Sequence, residues 1–168
     1  MDPREVQLAL TANVLSSETL SAPTLQILNR AGLKERFQTD PEEVISTLHR
    51  GLPTARESDR LFALAELSFA HASRNGLRKY YLASALYAYA FLFPTDEEAT
   101  PGRTDPRIRL ALDLYNRGLA EAFPSEDNRR VVIEEGTYEL PFGQITVTTN
   151  PEDFLYGNYR LVEFVQAA

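Results

Sequence analysis

His49 and His71 are the only imidazoles in the 168 residues, and the chain has no cysteine. Neither histidine stands in an H-E-x-x-H arrangement, and with no thiolate a zinc site would have to be assembled from distant carboxylates. His49 falls near the C-terminal end of an expected helix, where a partly cationic ring suits the dipole, so its expected role is structural. The eight glycines are isolated from one another, which removes both the G-x-G-x-x-G turn and the Walker loop whose amides cradle phosphate. No serine has the G-x-S-x-G context that lifts a hydroxyl above a sheet. Glu134 and Glu135 are adjacent on an expected strand, so they face opposite sides and cannot work as an acid/base pair on one bond. The residue types therefore predict no catalytic, cofactor-binding or metal-ligating residue, hence no enzyme activity in this chain by itself and no cofactor.

Two other polar residues bear on packing. Glu66 has Phe62, Ala63, Phe69 and Ala70 as helical neighbours. It is expected to be a partly buried carboxylate that needs an Arg or Tyr partner, with a tyrosine of the next helix preferred. Asn116, between Tyr115 and Arg117, is expected to cross-link helices. Tyr80, Tyr81, Tyr87 and Tyr89 suit a core with hydroxyls at its margin, or else the wall of a ligand groove.

The elements that must position these groups are marked by Asp-Pro pairs, in which the Asp oxygen caps a helix and the proline ring occupies its first turn. Asp2-Pro3, Asp40-Pro41 and Asp105-Pro106 are the expected helix starts. The hydrophobic spacing predicts helices over 21–31, ended by Gly32, and over 40–50, ended by Gly51. A stronger helix is expected from Ser58 or Asp59 to Asn75-Gly76. Residues 80–93 are apolar or aromatic on every side, too short for a bilayer span of about 20 residues, and so predict the central, most buried helix. Its small Ala residues should let neighbouring helices approach closely. Residues 94–104 read as an exposed loop.

The last helix is expected over 105–123, with Ile108, Leu112, Tyr115, Leu119 and Ala122 on one face. A row of alternating charge, Arg109, Asp113, Arg117 and Glu121, should form a solvated flank. After Ser125 the period changes to two. Residues 129–135, 137–140 and 144–149 predict short strands, with Pro141, Phe142 and Gly143 in a turn. The aromatic tail at 154–165 carries too much apolar area for a free terminus. It should fold back on the helices or mediate self-association through the C-terminal β segment.

Composition sets the outer limits. A 43% hydrophobic and 24% charged chain is neither disordered nor in need of disulfides to fold. The net charge of −7 and the lack of any long basic cluster argue against nucleic acid as a partner. The expected fold is mainly α, an antiparallel helical bundle that is weakly tetratricopeptide-like, with a small C-terminal antiparallel β segment. Its expected division is a helical domain over 1–128 and a β-hairpin with aromatic tail over 129–168.

The runs at 10–16 (LTANVLS), 81–94 (YLASALYAYAFLFP), 105–107 (DPR), 113–117 (DLYNR) and 136–143 (GTYELPFG) resemble the N-terminal region of large bacterial α/β-hydrolase-like proteins, which are often predicted lipoproteins. That resemblance implies a helical module and β segment placed ahead of a hydrolase domain that would carry the nucleophile, acid and histidine. No catalytic residue transfers to this chain. The expected role is a non-catalytic scaffold, cap or protein-interaction surface whose partner is a downstream hydrolase-like domain or another protein. The alternatives are a free-standing helical-repeat adaptor for a peptide or protein and a small-molecule-binding domain with the Tyr-rich helix as a wall. Met1-Asp2-Pro3-Arg4-Glu5 lacks the basic-then-apolar order of a signal peptide, which leaves two compartments open. One is the cytoplasm. The other is an extracytoplasmic or membrane-anchored location, reached through a removed leader with a Cys upstream of Asp2.

Overall fold

A computed structural model describes residues 12–17, 19–52, 57–95, 100–126 and 130–148, together with the backbone of 155–156, 159–160 and 164–165. The fold is mainly α, with a small antiparallel β part near the C-terminus. The helices are α1 (Val14–Ser17), α2 (Ala22–Ala31), α3 (Arg36–Thr39), α4 (Pro41–Arg50), α5 (Glu57–Asn75), α6 (Arg78–Leu92) and α7 (Arg107–Ala122). The strands are β1 (Arg130–Val131), β2 (Gly136–Leu140), β3 (Gly143–Val147), β4 (Leu155–Tyr156), β5 (Tyr159–Arg160) and β6 (Phe164–Val165).

The expected punctuation holds at α4 and at the glycine stops, while α7 starts at Arg107 with Pro106, not Asp105, in the cap position, and α5 already runs from Glu57, ahead of Ser58 and Asp59. Asp40 accepts from the Glu43 amide at 3.2 Å and caps α4, and the Asp105 carboxylate accepts from the Arg107 amide at 2.9 Å ahead of α7. Gly32 and Gly76 end α2 and α5 at φ 66° and 64°, a left-handed conformation that a side chain would strain. The start expected at Asp2-Pro3 lies outside the described residues, as do the side chains of the tail at 154–165.

α5, α6 and α7 form the centre. Phe62 meets Phe91 and Phe69 meets Tyr81, so α5 and α6 run antiparallel through the short Gly76 connection. Tyr89 meets Tyr115 and Gly118 lies against Tyr81 and Ala85, so α7 returns antiparallel to α6. Phe62, Leu64, Leu67, Phe91 and Leu114 are at most 1% exposed, and each contributes roughly 1.5–3 kcal/mol by burial. The spacing of α6 and α7 is set by small residues: a Cβ on Gly118 would sit 2.8 Å from the Tyr81 carbonyl oxygen and 3.1 Å from the Ala85 nitrogen.

Three expectations about this centre need correction. The most enclosed helix is α5, buried without interruption from Leu61 to Ala72, whereas α6 leaves Tyr89 half-exposed and Leu86 only partly covered. α6 is packed by α5 on one side and α7 on the other and so keeps a free edge. The most buried face of α7 is Ala111, Leu114 and Gly118; Tyr115, Leu119 and Ala122 pack against the core at its margin, Ile108 is only partly covered, and Leu112 is 41% exposed. Close helix approach selects the small residues for the contact and turns the larger ones aside. Asn116 is exposed and cross-links no helices among the described residues.

Two polar groups are built into this apolar centre. Glu66 is fully buried, and its partners correct the expectation of an Arg or Tyr. Its Oε1 accepts from the amides of Val14 at 3.2 Å and Ser21 at 2.9 Å, and its Oε2 accepts from the Ser21 hydroxyl at 2.6 Å. A buried carboxylate needs donors, and the starts of α1 and α2 supply N–H groups that helices leave without internal partners. The Arg107 guanidinium pairs with Asp59 and Asp105, each at 2.7 Å, and lies over Phe91 and Phe62 with centroids at 5.0 and 5.7 Å. Arg107 holds the Asp105 carboxyl below its ordinary range through the hydrogen bonds it donates.

The β part follows the period-two reading at the hairpin and departs from it elsewhere. β2 and β3 form a hairpin around Pro141 and Phe142, in the register Gly136↔Val147 to Leu140↔Gly143. Of the expected strand at 129–135 only β1 forms among the described residues, and Pro124 bridges Val131, with Val132 donating its amide to the Phe123 carbonyl at 2.9 Å. β6 returns to pair antiparallel with β1, and β4 pairs with β5. Phe123 meets the Tyr138 ring edge-on at 5.0 Å and docks the hairpin on the end of α7.

Candidate functional site

Both histidines lie along one side of the molecule, where α4, α6 and the hairpin turn enclose an open groove of about 470 Å³. The Asp40 cap and Pro41 start α4 so that Glu42 and Glu43 fall in its first turn and His49 in its last. Tyr80 and Tyr87, seven residues apart on α6, share a face by helical periodicity and form the opposite wall. The Pro141-Phe142 turn closes one end.

The His49 Nδ1 shares a hydrogen bond with the Tyr87 hydroxyl at 2.9 Å. The Phe142 ring stacks on His49 at 4.6 Å and 18°, and approaches Tyr87 at 5.0 Å. Around His71 a second group forms: its Nε2 lies 3.2 Å from Glu42 Oε1, its ring meets Tyr80 edge-on at 4.5 Å, and its backbone carbonyl accepts from the Asn75 side-chain Nδ2 at 3.0 Å. Burial and the neighbouring Glu42 push the Tyr80 phenol up to about 12, and burial pushes Tyr87 up as well. Both phenols are therefore neutral in the physiological range and serve as hydrogen-bonding groups, not as bases.

This geometry was partly legible beforehand. Tyr80 and Tyr87 line a groove, while Tyr81 packs on Phe69 and Tyr89 faces outward. The partnership of His49 with Phe142 could not be read from sequence, because it joins residues 93 positions apart through the docking of a hairpin. Glu134 and Glu135 are exposed and lie outside the groove. Ser46 is the only hydroxyl besides the phenols on the groove wall, and no base is hydrogen-bonded to it among the described residues. Among those residues no set of three or more His, Asp or Glu is placed to hold a metal ion, and no helix is long and apolar enough to cross a membrane. Aromatic faces on one wall and the carboxylates of Asp40, Glu42 and Glu43 on the other suit a cationic or amphipathic chain. No family model, curated protein or solved structure matches this chain.

Proposed function

We propose that this chain is a non-catalytic helical module that acts as a protein-interaction surface, corresponding to the N-terminal region of a hydrolase-like protein. In this reading its groove receives a basic, partly aliphatic segment of the partner, either a downstream hydrolase-like domain or another protein. The observation that supports it best is the pairing of an aromatic wall with an acidic one across the same opening. A Lys or Arg side chain laid there gains carboxylate attraction and packs on the exposed part of the Phe142 ring, a cation–π contact of about 0.5–2 kcal/mol. The net charge of −7 also steers basic segments toward the molecule.

Fluorescence anisotropy tests this with a labelled peptide of alternating Lys and Leu, against a Glu/Leu peptide of equal length. The Lys peptide should bind, more weakly as salt rises, and both Phe142→Ala and a Glu42→Gln/Glu43→Gln double variant should reduce its affinity. Equal binding of both peptides, or none, would refute the assignment. Turnover of short acyl esters that disappears on mutation of a single serine would overturn the non-catalytic part.

A further inference from the structure

The outer edge of β3 is used neither by the helices nor by the groove. The hairpin register closes on Leu140 and Gly143, so the residues of β3 that bond across to β2 are Gly143, Ile145 and Val147. The N–H and C=O groups of Gln144 and Thr146 therefore point away from β2, and among the described residues no strand pairs with that side. The side chains alternate in the same rhythm. Ile145 and Val147 are half-buried on one face, where Ile145 packs against the core, and Gln144, Thr146 and Thr148 are exposed on the other.

Edge strands are ordinarily guarded against further pairing by charge, proline or a bulge. β2 carries Glu139 and follows Glu134 and Glu135, but residues 143–150 hold no charge and no proline in a chain that is 24% charged, and the β3 register runs without a bulge. The β2–β3 sheet is two-stranded, and a hairpin of that size is marginal in water until more strands join it.

We infer that β3 pairs antiparallel with β3 of a second copy, about a two-fold axis through Thr146 and normal to the sheet, so that the two hairpins form one continuous sheet. The pleat restricts the register, because an outward-bonding residue must stand opposite another outward-bonding residue. Centring on Thr146 sets Thr146 against its own counterpart and Gln144 against Thr148. Ile145 then faces Val147 of the other copy at the closer, non-hydrogen-bonded positions, apolar beside apolar. Centring on Ile145 would set Val147 against Gly143, which has no side chain to meet it. The second copy fits as occupant because the strand complements itself: polar, uncharged side chains meet on the outer face and branched apolar ones on the inner. No charge on the strand selects an oppositely charged partner.

Each copy has a net charge of −7, so the two bodies repel and the pairing forms against that field. Added salt screens the repulsion and should tighten the dimer, the reverse of its effect on a basic peptide in the groove.

Sedimentation equilibrium of the full chain from roughly 10 μM to 1 mM, at low and high salt, tests this. The expected result is a reversible monomer–dimer equilibrium that strengthens with salt. Thr146→Lys places two like charges side by side at the axis and should weaken the dimer about tenfold or more. Thr137→Lys makes the same change at the cross-strand partner of Thr146, one strand removed from the interface, and should leave the dimer intact. Both positions are exposed, and circular dichroism with thermal melting checks that each variant stays folded. Hydrogen exchange reads the geometry itself: the amides of Gln144 and Thr146 should gain protection as concentration rises, while those of Ile145 and Val147, already bonded within the hairpin, should change far less. A chain that stays monomeric, a dimer that tolerates Thr146→Lys, one that Thr137→Lys disrupts equally, or Gln144 and Thr146 amides left unprotected in the dimer would each overturn the inference.

Discussion

Replacing Glu66 tests how the N-terminal helices are held to the body of the fold. Glu66→Ala removes the acceptor for the Val14 amide, the Ser21 amide and the Ser21 hydroxyl. The hydroxyl has another acceptor in Thr24 Oγ1 at 3.4 Å, but the two amides lose theirs inside the core. Each orphaned donor costs about 1–3 kcal/mol, and the vacated volume adds to that, while relief from burying a carboxylate subtracts. The net is roughly 3–4 kcal/mol, a large part of the 5–15 kcal/mol that stabilises a typical domain.

Glu66→Gln has the same shape and separates the hydrogen-bonding explanation from simple packing. Its amide oxygen can keep both N–H groups, and its NH₂ can donate to a Ser21 hydroxyl turned toward Thr24. The expected cost is therefore only about 1 kcal/mol. Urea unfolding measures both variants, and Glu66→Ala should lower the midpoint by about 2 M if the slope is ordinary for a chain of this size. Hydrogen exchange of the Val14 and Ser21 amides should accelerate more than that of the α6 amides. If Glu66→Ala costs under about 1 kcal/mol, or Glu66→Gln is equally damaging, the carboxylate is not what secures this segment.

Gly118→Ala should destabilise by about 3 kcal/mol in thermal melts, because its Cβ would press on the Tyr81 carbonyl and the Ala85 amide, both backbone atoms of α6. Ser68→Ala should be neutral or stabilising by about 1 kcal/mol, since the buried Ser68 hydroxyl has no hydrogen-bond partner among the described residues. Asp105 has its folded-state value lowered by Arg107 below the ordinary 3.8, so its contribution is complete above that value and is lost as pH falls through the folded one. Acid unfolding curves of Asp105→Asn should accordingly be flatter below about pH 4. Tyr80 has its value raised from 10.0 to about 12, so its neutral form stabilises the fold fully below pH 10 and that stability is lost as pH rises toward 12. Tyr80→Phe should show a smaller alkaline loss, followed by circular dichroism.

The boundaries of α2 and α4 and the end of α5 were legible in the sequence because they depend on neighbours along the chain. Asp40-Pro41 caps α4 and Gly32 and Gly76 end α2 and α5 through local backbone geometry, which no distant contact had to supply. The β-hairpin turn at Pro141 and Phe142 is local in the same sense. Which helix lies at the centre was decided by tertiary packing. α6 is the more apolar helix, yet α5 is the enclosed one, because a helix is buried by how many neighbours surround it and not by its hydropathy alone. The rotation of α7 was set by the close approach that Gly118 permits, which moved Leu112 outward against its hydrophobic pattern. Glu66 was visible as a carboxylate in apolar company, but its partners are 45 and 52 residues away, and the groove joins His49 to a ring on the hairpin. Sequence spacing reports what lies one or two turns away on a helix; which distant donor or ring fills a buried position depends on the three-dimensional arrangement of whole elements.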